Sequence, residues 1–142
     1  MKDMSRSEKL LRSLKLKTTP TRLAILVFLQ THHKPVSAQT LAEKLGKNAI
    51  DQATVYRNLT NLEELGVVRR VELKSNRAFF ELKSNKDHHH IICVSCGLIE
   101  DFYNCNIDKV AVSALKNSKR FAKVSEHSLE LFGLCKQCEA NL

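Results

Sequence analysis

Apolar residues recur at helical spacing through the first half of the chain. Leu10, Leu11 and Leu14 share one face of a predicted helix that Ser5 or Ser7 would cap and that runs to about Lys15. Thr19-Pro20 reads as the N-cap and first position of a second helix, and Leu23 to Leu29 is apolar on nearly every side, which places that helix at the centre of a small bundle. After Lys34-Pro35, Ser37 caps a third helix with Leu41, Ala42 and Leu45 inward, and Gly46 ends it. Asp51 caps a fourth, in which Val55, Leu59 and Leu62 recur at helical spacing before Gly66. Two β-prone segments follow, Val67 to Leu73 and Ala78 to Leu82, around the turn Lys74-Ser75-Asn76-Arg77. Helices followed by a hairpin give the order of a winged helix-turn-helix.

The polar stretch Lys83-Ser84-Asn85-Lys86 marks a junction, beyond which the pattern changes. His88 to Val94 is strand-like. Asn106 to Ser118 is helical, with Ile107, Val110, Ala114 and Leu115 inward, and Glu126 to Leu134 alternates as a strand with Leu129 and Leu131 on one side. The expected class is therefore α+β: a winged-helix domain over 1–82, a hinge over 83–87, and a small α/β domain over 88–142. No repeat or low-complexity tract interrupts this order.

Charge and cysteine content narrow the function. The 142 residues carry a formal charge of +8, which favours an acidic partner such as nucleic acid. No apolar run approaches the ~18 residues that cross a bilayer. The charged, amphipathic opening is unlike a signal sequence, so a cytoplasmic protein without a membrane partner is expected. In such a reducing compartment five cysteines read as metal ligands rather than disulfides.

The outer face of the fourth helix carries Gln52, Thr54, Tyr56, Arg57 and Thr60. Arg57 suits a guanine edge, Tyr56 or Thr54 a thymine methyl, and Gln52 the deeply inserted N-terminal end of a recognition helix. Lys15, Lys17 and Arg22, with Arg69, Arg70, Lys74 and Arg77 on the hairpin, would hold phosphates or a narrow minor groove. The plainer alternative is a solvated helix face, which the helix order and the surrounding cations disfavour.

Cys93-x-x-Cys96 and Cys135-x-x-Cys138 offer four thiolates on two knuckles, as a closed tetrahedral Zn²⁺ site requires. Such a site would stabilise a small domain rather than sense metal. Cys105 reads as a bystander thiol, a redox role being the alternative. In Asp87-His88-His89-His90, strand alternation sends His88 and His90 to one face and Asp87 and His89 to the other, so one run could serve two sites. Glu81 at the end of the hairpin, with His88 and His90, would form a mixed nitrogen and oxygen set suited to Fe²⁺, Zn²⁺, Mn²⁺ or Co²⁺. A solvated loop is the bland reading of three adjacent histidines, and His127, on the apolar face of its strand with Leu129 and Leu131, reads equally as a core histidine.

Several segments together resemble the ferric uptake regulator family of metal-responsive repressors. Lys17-Thr18-Thr19-Pro20-Thr21-Arg22 resembles the family's entry to the second helix, and Ala53-Thr54-Val55-Tyr56-Arg57-Asn58-Leu59 its recognition helix. His88 to Gly97 is similar to its metal-binding run, and His127-Ser128-Leu129 to its late histidine. The resemblance implies a homodimer acting on A/T-rich palindromic operators in double-stranded DNA. It also implies a regulatory site of His33, Glu81, His88, His90 and Asp101, and a second site of Asp87, His89, Asp108 and His127. Pro35 stands where the family histidine usually lies, so His33, or else His32, must take its part. Zinc-sensing members commonly place a cysteine near the end of the wing; none occurs between residues 68 and 92, which favours Fe²⁺ over Zn²⁺ or Mn²⁺ as the regulatory ion. Zinc-uptake and peroxide-sensing repressors are the alternatives, and Asp101 keeps the latter in view. A zinc hydrolase or deaminase would show H-x-E with P-C-x-x-C, and the chain has neither. A zinc-stabilised protein-interaction module would lack salt-dependent binding to duplex DNA.

Overall fold

The computed structural model describes residues 2–46, 50–84 and 86–142; Asn85, inside the expected hinge, lies outside them. The chain forms two compact units, Met1–Lys83 and Ser84–Leu142.

In the first unit α1 (Lys2–Ser13), α2 (Pro20–Thr31), α3 (Ala38–Leu45) and α4 (Gln52–Glu64) combine with β1 (Val36–Ser37), β2 (Val68–Val71) and β3 (Phe79–Leu82). Three helix starts are set by side chains that satisfy otherwise unpaired backbone donors. Thr19 accepts from the Arg22 amide at 3.3 Å, Ser37 from Thr40 at 3.2 Å and Asp51 from Thr54 at 2.8 Å. Gly46 (φ 146°) and Gly66 (φ 72°) follow α3 and α4 in backbone conformations that a β-carbon disfavours. The wing is the antiparallel pair β2 and β3, with Arg69 opposite Glu81. A two-residue strand, β1, which the sequence did not announce, pairs Val36 with Phe80 and completes the sheet order β1-β3-β2.

The α1 cap departs from expectation. Ser5 and Ser7 both lie within the helix, and Ser7 is buried with its hydroxyl donating to the Asp3 carbonyl at 2.8 Å. A serine inside a helix that has already begun upstream returns its hydroxyl to the preceding turn instead of capping. The core beneath the helices joins Leu11, Ile25, Leu26, Leu41, Val55, Leu59, Leu62 and Phe80.

The second unit is built on β4 (His89–Cys93), flanked by antiparallel β5 (Ile99–Phe102) and parallel β6 (Glu130–Gly133), in the order β5-β4-β6. Helices α5 (Ile107–Asn117) and α6 (Lys136–Ala140) complete it. On α5 the half-buried stripe is Ile107, Ala111 and Leu115, while Val110 and Ala114 are exposed. The late strand is shorter than its alternation implied: β6 begins at Glu130, because its ladder to β4 starts where Glu130 meets His90. His127 therefore sits in irregular chain before the strand, and Leu131 is exposed. Among the described residues no helix is long and apolar enough to cross a membrane.

Leu59 is fully buried against α2, α3 and the wing's Phe80. Leu59→Ala should cost about 2–5 kcal/mol of stability, measured as a lower urea midpoint for the first unit. A loss below about 0.5 kcal/mol, the usual effect of a surface substitution, would show that α4 does not anchor this core.

Candidate metal centres and nucleic-acid interface

The outward side of α4 follows from which residues its core face consumes. With Val55, Leu59 and Leu62 buried, Gln52, Tyr56 and Arg57 project to solvent. Thr54 is half-buried, and its hydroxyl donates to Asp51 at 2.7 Å and accepts from Arg57 at 3.2 Å. Those bonds from Thr54 hold the Asp51 carboxyl below its ordinary pKa. Tyr56 is steadied edge-on against Phe80, with ring centres 6.0 Å apart, and its hydroxyl lies 3.4 Å from Arg70.

The surrounding cations divide into two groups. Arg22 ties α2 to α4 by donating to Asn58 at 3.1 Å and also donates to the Lys17 carbonyl at 3.0 Å. Arg69 pairs with Glu81, and Arg70 with Glu63 at 3.2 Å while stacking over Phe80. These arginines brace the helix and the wing. Lys15, Lys17 and Arg77 are exposed, Lys15 in left-handed backbone (φ 55°) just after α1.

At the far end of β4 the four knuckle cysteines converge, their sulfurs all within 4.8 Å of one another. The first knuckle is shaped by Gly97 (φ 75°), whose amide donates to the Cys93 carbonyl at 2.9 Å, and by the Cys93 amide donating to Leu98 at 2.8 Å. The second is delivered by β6, with Cys135 capping α6. Cys96 and Cys135 sulfurs are 3.7 Å apart, far beyond a disulfide bond and close to the ~3.8 Å edge of a tetrahedron with 2.3 Å Zn–S bonds. The cluster thus fits zinc. Backbone amides of Cys96 and Cys135 lower the Cys93 pKa to about 6. For Cys138 the largest influence, a hydrogen bond with Ser95, lowers the value, but the thiols of Cys135, Cys96 and Cys93, together with burial, raise it to about 12. One thiolate is therefore prepared by the fold, while Cys138 requires the cation's charge to ionise.

The histidine run sits at the start of β4, and the pleat sorts it. The His88 and His90 rings meet edge to face, 5.2 Å apart. The antiparallel register sets Asp101 on β5 opposite His90, with Oδ1 3.7 Å from Nε2. These three residues belong to the second unit, whereas Glu81 on β3 and the exposed His33 belong to the first. Buried His89 lies on the other side of β4, 3.8 Å from Asp87 Oδ2 and 3.1 Å from His127 Nε2. Cys105, to which the sequence assigned no ligand role, joins them with its sulfur 2.9 Å from His89 Nε2. Asp108 lines the same cleft. Only the chain path after Asn104 (φ 62°) carries Cys105 to this point; no spacing in the sequence announced it.

The knuckle thiols make metal retention depend on pH with a definite sign. Because the Cys93 pKa is lowered, its thiolate contributes fully above the ordinary thiol value and loses that contribution as pH falls through about 6. Bound zinc lowers thiol values further. Zinc should therefore stay bound at neutral pH and leave only below about pH 6, as read with a chromogenic chelator. Release already at neutral pH would contradict the assignment.

Comparison with known proteins gives a consistent result. Residues 13–132 match the model of the ferric uptake regulator family. A ferric uptake regulation protein of Cupriavidus metallidurans is 37% identical over 128 residues, covering 88% of each chain. A peroxide-responsive repressor, PerR, of Staphylococcus saprophyticus is 33% identical over 131 residues, covering 91% of this chain and 86% of that protein. The crystal structure of the Vibrio cholerae ferric uptake regulator superposes with a TM-score of 0.74 at 33% identity, covering 89% of this chain and 98% of that one. A winged helix, a four-cysteine knuckle and this extent of sequence identity lead to one conclusion: the chain belongs to the ferric uptake regulator family, whose members are transcriptional regulators and not enzymes.

Proposed function

We propose that this regulator represses metal-homeostasis genes in the cytoplasm in response to Fe²⁺, as a homodimer on an A/T-rich palindromic operator. The observation that carries the reading is the sorting of β4, where His88 and His90 share one side with Asp101 and leave the four cysteines as a separate closed cluster. Glu81, with His33 from the first domain, would complete a nitrogen and oxygen set. Such a set suits Fe²⁺ better than a thiolate site does, and the ferric name of the Cupriavidus relative supports the same choice. Residues 1–82 would act as the DNA-binding domain, 83–87 as the hinge and 88–142 as the dimerisation domain. Exposed apolar side chains of the second unit, including Val110, Phe121 and Leu131, support its pairing with a second copy.

A divalent ion supplies a cross-link among these ligands when bound. Arg69 neutralises Glu81 from the neighbouring strand, so the carboxylate must exchange that partner for the ion. Binding free energy at Glu81, His88 and His90 would then favour the domain arrangement in which two α4 helices enter successive major grooves. Ligation shifts that equilibrium only through tighter binding to the competent arrangement. A second ion is proposed at Asp87, His89 and His127, the three of the four expected ligands that converge, Asp108 lining the cleft beside them. Peroxide sensing is the second reading, favoured by Asp101 and by the similarity to the Staphylococcus repressor.

Two outcomes test this reading. Glu81→Ala should abolish Fe²⁺-dependent operator retardation in a gel shift while leaving stoichiometric zinc in place; unchanged metal dependence would remove Glu81 from the sensing site. Arg57→Ala should weaken operator binding by about 1–3 kcal/mol and relax preference at one base position. Uniform weakening across sequences would instead make Arg57 a phosphate contact.

A further inference from the structure

We infer that Cys105 is a metal ligand, and that its thiolate makes the Asp87, His89 and His127 cluster a four-coordinate site for zinc-class ions rather than iron or manganese. Four donor atoms converge there: Asp87 Oδ2, His89 Nε2, Cys105 Sγ and His127 Nε2 all lie within 4.8 Å of one another. His127 Nε2 is 3.1 Å from both Asp87 Oδ2 and His89 Nε2, and 3.6 Å from the sulfur.

Hydrogen bonding does not account for this crowding. An imidazole nitrogen carries either one hydrogen or one in-plane lone pair. Each of the two Nε2 atoms nevertheless faces three heteroatoms, and His89 is only 3% exposed. A central cation resolves the conflict by taking one lone pair from each donor. The set of one sulfur, two nitrogens and one oxygen is soft enough to prefer zinc, whereas Fe²⁺ and Mn²⁺ favour all nitrogen and oxygen sets.

Cys105 is held for this role. It follows Asn104, whose left-handed backbone turns the chain after β5, and it precedes the N-cap of α5. Asp108 stands in the first turn of α5 and is exposed at the cleft, outside the converged cluster. The inference draws on the function proposed above only in taking the four knuckle cysteines as separately filled by zinc. Operator binding tests that function, and the measurements below test Cys105 without DNA.

The full-length reduced protein, holding one equivalent of zinc at the knuckles, is titrated with Co²⁺ under argon. Up to two further equivalents can bind, one of them at the proposed regulatory ligands; we expect only the one at the Cys105 cluster to bring a near-ultraviolet sulfur-to-cobalt charge-transfer band, of single-thiolate intensity. In Cys105→Ser the charge-transfer band should vanish. Affinity should fall by more than the roughly 10–100-fold that loss of an outer-shell partner costs. Asp108→Asn should keep both band and affinity. An independent readout is alkylation followed by mass spectrometry: zinc in excess of the knuckle equivalent should protect Cys105 from iodoacetamide. A charge-transfer band that persists in Cys105→Ser, or Cys105 that stays reactive at saturating zinc, would overturn the assignment. So would loss of binding in Asp108→Asn with the band unchanged in Cys105→Ser.

Discussion

The pleat of a single strand organises the second domain. Side chains on a β-strand alternate with a period of two, so β4 sends His90 toward Asp101 and His89 toward His127 while its last residue, Cys93, opens the first zinc knuckle. Its central place in the sheet supplies the rest. The antiparallel neighbour brings the carboxylate opposite His90, and the parallel neighbour leads directly into Cys135. Shifting the register by one residue would exchange the two histidine faces and dismantle both clusters at once.

Apolar burial cannot secure such a sheet. Among the described residues of the second unit, only Ile92 and Cys93 are buried hydrophobics, whereas the first unit closes a continuous core around Leu26, Leu59 and Phe80. A domain of this size with so thin a core depends on other cross-links, and metal bound to converged ligands turns binding free energy into folding free energy. The prepared Cys93 thiolate lowers the cost of starting that process.

The first domain solves a different problem, holding a polar helix face rigid while leaving it exposed. Three of its arginines are engaged within the domain: Arg22 on Asn58, Arg70 on Glu63 and the Phe80 ring, Arg69 on Glu81. These contacts fix α4 and Tyr56 against the wing, so little conformational entropy would remain to be lost if that face docked on DNA as proposed. The pairing of Arg69 with Glu81 also joins the wing to the metal chemistry proposed for that carboxylate.

What the sequence determined by itself was local. The caps at Thr19, Ser37 and Asp51 each bond three residues ahead, within reach of a short window, and the cysteine pairs and histidine run carry their spacing in the chain. Tertiary structure decided whatever depended on a distant partner. Strands β1 and β5 exist because β3 and β4 pair with them, β6 ends where its ladder ends, and Ser7 is core because α1 starts earlier than its serines implied. Cys105 is the clearest case. Its meeting with Asp87, His89 and His127 joins points that are far apart along the chain, and such convergence is set by the path of the backbone rather than by any periodicity.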